Sequence, residues 1–516
     1  MIAGEKRQVA LRSRLWAGFG NLDTPRRVLF GLFLMLLVGL LAKVLFGALT
    51  SLAMFTHPFQ FDESEGMIVA ETMLLDQGVG IYAVPGPDLF ISAPYPPLFY
   101  LLAWPFQHLA GDTPTFKAGR ALTILATLLA GVAIFSIVAT LTKNRLAGAI
   151  GAAAWWSLGL ITFWGGLVKP DMAALAFGLG GLWWLVARPP VQLWWALPFF
   201  WGAFYTKQTA IAAVVAAVGW LLFTRPRVGL AFGAIYAAGV VLPTLLLDQL
   251  TAGGYFYHMF TIHDLPWSAD RALGFAMNFL GTYGALLVPG IIAIVVAALL
   301  WLRARIRNEA QLIARDGALL LFFYLGMSIF AAIGTGTLGG NHNHLLEWAA
   351  ASCLGLGLGV DLLWRSGLRQ VRVTGALTAA IMLVQVPFLF GVPSWLKLEF
   401  GMLSAEKVEA MTNIFQYVTN NSGRAYSDNV GLLLAAGKPL WTTDPYTQTH
   451  ATFFKRWDEN KLVEAIERKS FSQVILRIDV TNPAVEAGDV SPRILQAVRD
   501  NYKLDQRNVE NIYVPK

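Results

Sequence analysis

The 516-residue chain is 56% hydrophobic and only 14% charged, where a soluble globular chain is about a quarter charged. Its formal charge of +7 sits in short basic clusters between apolar runs and not on one face, which argues against a nucleic-acid partner and reads as a topology signal. Apolar runs close to the ~20 residues that cross a bilayer recur along most of the chain, with Gly and Pro inside them, so composition excludes a soluble globular protein and implies a polytopic helical membrane protein.

The N-terminus, 1–27, is basic through Lys6, Arg7, Arg12, Arg14, Arg26 and Arg27. The first apolar segment, 28–50, is too long for a signal-peptide core and has no small-residue cleavage site before the acidic stretch that follows, so it stays as an anchor. Further candidate spans fall near 120–141, 147–168, 172–187, 191–206, 208–223, 229–247, 277–301, 316–334, 344–362 and 373–391. The reading is an all-α polytopic membrane domain, 28–392, of about eleven transmembrane helices, with a first outer loop at 51–119. Cys353, the only cysteine, lies inside an apolar run, so neither an internal disulfide nor a thiolate metal site is available.

Basic clusters at Lys143 with Arg145, Arg188, Arg225 with Arg227, Arg303 with Arg305 and Arg307, and Arg365 with Arg369 and Arg372 then fall on one side. By the positive-inside rule that side is the cytoplasm. The chain is thus expected in a cell (inner or plasma) membrane, its N-terminus cytoplasmic and its C-terminal domain extracytoplasmic. The count holds only if "YPPLFYLLAWPFQHLAG", Tyr95–Gly111, stays out of the bilayer. Its apolar part is short and holds Pro96, Pro97 and Pro105, so it reads as an interfacial helix. A true crossing there would put the Arg clusters outside, against the charge bias.

After Val392 hydropathy collapses, and 393–516 reads as a small soluble α/β domain. A helix is expected over "SAEKVEAMTNIFQYVTNN", then a strand at "GRAYSD", a helix at "NVGLLLAAGK" and a strand at "PLWTTD". A second helix and strand follow at "DENKLVEAIERKS" and "FSQVILRID". The alternation predicts partly parallel strands. No Gly-rich phosphate loop follows any strand, so a packing or lid role is favoured over nucleotide binding.

Polar residues that topology does not explain collect on the outward side. Asp62, Glu63, Glu65 and Glu71 stand in "FDESEGMIVAE", directly beyond the first span. A solvated loop explains them if they act alone; burying one without a partner would be costly. Lys169 in "LVKPDMAALAF" and Lys207 in "FYTKQTAI" each sit between two apolar spans. Either could snorkel to headgroups, but the two together, facing an acidic stretch, favour an anionic ligand. Asp171 starts a helix, where the dipole also welcomes it. In "GTGTLGGNHNHLLEWAAA", Asn341, His342, Asn343 and His344 precede Glu347. The i, i+2 spacing of the two histidines does not aim both at one ion, so hydrogen bonding to a polar substrate is expected rather than zinc. His258, His263, Asp264 and Trp267 read as an interfacial belt.

The order "FDESEG", "DQGVGIY", "YPPLFYLL", then "KPD" two spans later resembles the polytopic GT-C glycosyltransferases, in the branch of the protein O-mannosyltransferases and the lipid A aminoarabinose transferases. The likeness covers about 28–391, and the outer tail also looks like those of bacterial members. It implies a GT-C fold with interfacial helices in the first outer loop, and a catalytic Asp or Asp-Glu pair at Asp62 and Glu63. It also implies a second acidic residue at Asp171 and a "YPPL" segment beginning at Tyr95. Aminoarabinose transferases have Lys before the two prolines where this chain has Tyr95, which opens the question of which cation holds the donor phosphate. Topology nominates Lys169 and Lys207.

The resemblance implies an outward-facing polyprenyl-phosphate sugar donor, and a glycan, lipid or protein acceptor. On that reading Asp62 is the base and Glu63 orients hydroxyls. Tyr95, Glu65, Asp171, Asn341, His342, Asn343, His344 and Glu347 contact substrate. No cofactor is required, although so many carboxylates leave room for a divalent metal. Two other readings stay open: a transporter of an anionic or sugar substrate, and a noncatalytic envelope scaffold.

Overall fold

The computed structural model describes residues 23–109, 115–309, 316–482 and 490–516. The basic residues Lys6, Arg7, Arg12 and Arg14 lie outside the described residues, as do the last two residues of Tyr95–Gly111. Among the described residues, seven helices are long and apolar enough to cross a membrane, beginning with Thr24–Thr56 and Lys117–Thr142. Thr24–Thr56 starts where the Asp23 carboxylate caps the Arg26 N–H at 3.0 Å, with Pro25 in the first turn. Its 33 residues extend about 50 Å. Val38, Leu45, Leu49 and Leu52 on it are more than half exposed, as suits a face turned to lipid.

The other four expected spans are shorter than a bilayer requires. Arg145–Ser157 ends at Leu158 and is followed by a six-residue helix, Gly159–Trp164. Asp171–Ala187 has 17 residues, Leu197–Thr206 has 10 and Ala212–Thr224 has 13. The cause is local: non-helical backbone at 165–170 and 207–211 interrupts the apolar sequence, and those breaks carry Lys169 and Lys207. Backbone of this kind is tolerated at membrane depth only where protein buries it or a cavity receives it. Helix Ala269–Ile306 packs on Leu346–Arg365 through Gly290 and Gly355, whose added Cβ atoms would strike Ser352 and Gly290 backbone oxygens.

Beyond Thr56 the first loop forms two helices, Glu63–Asp76 and Pro97–Leu109. The second has only 13 residues with Pro105 inside, too short to cross alone. Glu71 ties the loop together. Buried, it accepts from the Ala93 N–H at 2.8 Å, the Tyr100 hydroxyl at 2.7 Å and the Thr443 hydroxyl at 2.8 Å.

The C-terminal part carries a four-stranded sheet of β1 (Ala425–Ser427), β2 (Gln473–Leu476), β3 (Tyr502–Gln506) and β4 (Asn511–Pro515), in the order β1-β2-β4-β3. β1 and β2 are parallel, with Tyr426 opposite Val474, and the other two pairings are antiparallel. Its core holds Tyr426, Leu462, Ile466, Phe471, Val474 and Val498. "PLWTTD" joins no strand of this sheet. It pairs instead with Phe90 of the first loop, whose N–H donates to Trp441 O and whose carbonyl accepts from Thr443 N, both at 2.9 Å. Alternation revealed its extended backbone but not a partner 351 residues away, the separation also spanned by the Ser92–Thr443 hydrogen bond. Helix Val430–Ala435 closes the docking surface, where Gln60 Oε1 accepts from the Gly431 N–H at 3.1 Å.

Candidate active site

Two lysine–aspartate pairs meet at the bundle end that carries the first loop, on which the C-terminal part docks. Asp62 is the N-cap of Glu63–Asp76, its Oδ1 accepting from the Ser64 N–H at 3.0 Å and from the Ser64 hydroxyl. Lys169 Nζ lies 3.0 Å from the same oxygen and 4.5 Å from the Trp164 ring centroid. Burial opposes ionisation of Asp62, but Lys169 and the Ser64 hydrogen bonds outweigh it and hold the carboxyl below its usual range.

Asp171 opens the helix Asp171–Ala187. Its Oδ1 pairs with Lys207 and accepts from Asn343 Nδ2 at 2.8 Å, while Oδ2 is enclosed without a protein partner. Lys207 caps the C-terminus of Leu197–Thr206. The two pairs are neighbours, because Lys169 also acts electrostatically on Asp171. The lysine side chains are 10% and 11% exposed, so each ammonium is held by a carboxylate and does not snorkel to solvent.

The other expected residues divide. His344 lies within electrostatic reach of Lys207, Asp171 and Lys169, and Glu347 within reach of Lys207. Tyr95 belongs to the same group: burial first, then the charges of Asp171 and Asp62, push its phenol well above the usual range. Asn341 caps the turn at 342–345 by accepting from the His342 N–H at 2.7 Å. The His342 ring is buried, stacked on Trp395 with centroids 3.7 Å apart, and its Nε2 is enclosed and unpartnered. Among the described residues no group of three His, Cys, Asp or Glu side chains is arranged to hold a metal ion.

Glu63 and Glu65 leave the site. At 100° per residue they point about 200° apart on the helix. Glu63 turns to Arg477 at the end of β2, partly exposed. Glu65 is fully buried and accepts both a bidentate pair from Arg120, 2.9 Å on each oxygen, and the N–H groups of Phe61 and Val168 at 2.8 and 2.9 Å. With every acceptor direction filled by protein it contacts no substrate. His258 is likewise no belt residue, being buried with its ring nitrogens 2.6 Å from Ser92 O and 2.9 Å from Ala83 O.

Sequence reasoning missed Arg120 and Trp395. Arg120 had a signal: with Lys117 it puts positive charge at the end of a span assigned to the outer side, where topology asks for none, which is the argument that singled out the two lysines. Trp395 lies in the segment after the last span, without a local pattern.

No protein-family model matches the sequence and no curated protein matches it. Solved structures do. ArnT from Cupriavidus metallidurans in the apo state aligns with a TM-score of 0.60 at 11% identity, over 92% of this chain and 97% of that one. The same protein bound to undecaprenyl phosphate aligns at 0.59 and 12% identity over the same shares. The Archaeoglobus fulgidus oligosaccharyltransferase in complex with Zn and sulfate aligns at 0.52 and 10% identity, over 89% of this chain and 71% of that one. At these identities the likeness is one of fold: the chain shares the fold of these solved structures.

Proposed function

We propose that the chain transfers a sugar from an outward-facing polyprenyl-phosphate carrier to an acceptor hydroxyl of a glycan, lipid or protein. The observation that carries this reading is the pair of nearly buried lysines in one cluster, each neutralised by an aspartate that an anion can displace. A neighbour of the same fold, ArnT, binds undecaprenyl phosphate, and the donor's phosphate supplies such an anion here. The gathering of polar groups at one end of the bundle supports transfer over a midplane transport path.

In this mechanism Lys169 and Lys207 meet the donor phosphate as point charges. As Lys169 turns to phosphate, Asp62 loses its main counter-ion and becomes a better base. The acceptor oxygen attacks C1, the C1–O bond to phosphate breaks with its electron pair on phosphate, and the acceptor proton passes to Asp62. Single in-line attack inverts the anomeric centre, and phosphate leaves without needing an acid. Asp171, Glu347, Tyr95, Asn341, Asn343, His342 and His344 surround the sugar.

The test uses purified full-length protein in nanodiscs, radiolabelled polyprenyl-phosphate sugars and crude envelope acceptors, run beside Asp62→Asn. Transfer or slow donor hydrolysis by wild type alone is expected. Equal activity in Asp62→Asn removes Asp62 as the base, and no donor binding or turnover by wild type removes the transferase reading.

A further inference from the structure

Four helices lead from the candidate site to one cavity at the far end of the bundle. Lys117–Thr142 carries Arg120 and, through the Thr123 hydroxyl, meets the Lys169 carbonyl at 3.3 Å. Its 26 residues extend about 39 Å and end at Lys143. Asp171–Ala187 opens on Asp171 and ends at Arg188, and Ala212–Thr224 follows the break holding Lys207 and ends at Arg225. Leu346–Arg365 carries Glu347 in its first turn and Arg365 in its last. Lys143, Arg188, Arg225 and Arg365 all line a cavity of about 440 Å³, a size within the ~300–1,000 Å³ of small-ligand sites.

Helix C-termini and the positive-inside bias each account for a cation on this side. Neither accounts for the convergence, since Arg227, Arg303 and Arg307 serve the bias equally and lie off the cavity. Among the described residues, Asp316 is the one carboxylate on the lining. Among the same residues Arg365 pairs with Asp361 at 2.6 Å, whereas Lys143, Arg188 and Arg225 make no salt bridge. Much of the remaining lining is apolar, with Leu185, Leu193, Trp220 and Leu221 all buried. Trp220 keeps its indole N–H enclosed without a protein partner, a donor that an anionic oxygen would satisfy.

We propose that this cavity binds the phosphate of an anionic phospholipid headgroup, with Lys143, Arg188 and Arg225 on the phosphate and the acyl end against the leucines. The inference is independent of the transfer reading. Phosphate is the chemistry shared by a headgroup and free inorganic phosphate, and arginine forks match its oxygens. The apolar part of the lining favours the lipid, because inorganic phosphate leaves the leucines unused. Basic pockets between membrane helices at the cytoplasmic face, the side to which the charge bias assigns this end, attract anionic lipids. A bound headgroup ties together the ends of four helices whose other ends form the candidate site, so occupancy stabilises the bundle.

The experiment titrates the full chain, delipidated in uncharged detergent, with phosphatidylglycerol, phosphatidylcholine or inorganic phosphate, and follows thermal unfolding by tryptophan fluorescence. Phosphatidylglycerol should raise the unfolding temperature saturably, and the other two should not. Arg188→Gln with Arg225→Gln should weaken the apparent phosphatidylglycerol affinity at least about tenfold. Arg227→Gln with Arg303→Gln, which removes the same charge from the same side, should leave it within about twofold. No shift in wild type, an equal shift from phosphatidylcholine, or an equal loss in the two pairs of variants overturns the site. An equal, saturable shift from inorganic phosphate overturns the lipid assignment. Should the Arg188 and Arg225 variant not yield monodisperse protein, Lys143→Asn decides, because Lys143 is exposed and its left-handed backbone suits Asn. Binding weakened about threefold or more supports the site, and unchanged affinity overturns it.

Discussion

Replacing Arg120 by Met is expected to destabilise the protein more than most single changes. Arg120 and Glu65 are both fully buried. Besides its two bonds to Glu65, the guanidinium donates to Met54 O at 2.8 Å, His57 O at 2.6 Å and Phe59 O at 2.8 Å, and it lies 4.9 Å from the Phe61 ring and 5.0 Å from Phe116. One side chain therefore closes the turn between the first membrane helix and Asp62. Arg120→Met strands a buried carboxylate, a change of about 3–5 kcal/mol, and takes a donor from three carbonyls; Met54 O keeps the His57 N–H, while His57 O or Phe59 O, if left dry, adds about 1 kcal/mol or more. Glu65→Met strands the guanidinium instead, with a similar loss. The double replacement removes both charges, so its loss should fall short of the sum of the singles by about 2 kcal/mol. The orphaned N–H and carbonyl groups keep it below wild type. Unfolding free energies from SDS titration in mixed micelles, followed by tryptophan fluorescence, test this for all four proteins. Singles within about 1 kcal/mol of wild type, or an additive double, would refute the clamp.

Glu63→Gln should leave kcat within about threefold and stability within about 1 kcal/mol, because its partner Arg477 is partly exposed. Transfer rates and the same titration check this. Lys207→Met should raise donor KM at least tenfold by leaving Asp171 without its cation, on the scale of about 2 kcal/mol or more for a broken buried charge pair. Lys207→Arg should lose less, as donor saturation curves would show. Burial pushes Glu71 from the ordinary 4.5 up to about 7, against the pull of Tyr100, Ala93 and Thr443. Folding therefore favours its neutral form, and that contribution is complete below the unfolded value and lost as pH climbs through 7. Thermal stability should decline from pH 5 to 8, and Glu71→Gln should flatten the decline.

Much of the membrane region was legible because hydropathy is a property of local sequence. The expected bounds 172–187 and 208–223 lie within a few residues of Asp171–Ala187 and Ala212–Thr224; what hydropathy hid is the break inside 147–168, where Arg145–Ser157 ends and Gly159–Trp164 begins within one apolar run. Lys169, Lys207 and Asp171 were legible through topology, which needs no contact information. What failed was resolution within the acidic stretch: Asp62, Glu63 and Glu65 look like one cluster in sequence, yet helical rotation sends them to a lysine, a surface arginine and a buried clamp. The partner of "PLWTTD" and the stack of Trp395 on His342 depend on how the tail folds back, and no local pattern records that.

The clamp and the site form one mechanical unit. Glu65 holds the Val168 N–H, Val168 precedes Lys169, Lys169 pairs with Asp62, and Asp62 caps the helix that carries Glu65. That closed circuit fixes the Lys169–Asp62 distance through a buried bidentate pair instead of through the flexible lysine stem. Each of the two ammonium groups is already matched by an aspartate, so on the proposed mechanism a phosphate enters by exchange and not by filling a ready-made cationic pocket. Exchange links the steps: the ion pair broken to hold the donor is the one that kept Asp62 from acting as a base. Loosening the clamp should therefore impair donor binding and proton transfer together, whereas a change at Lys207 should impair binding first.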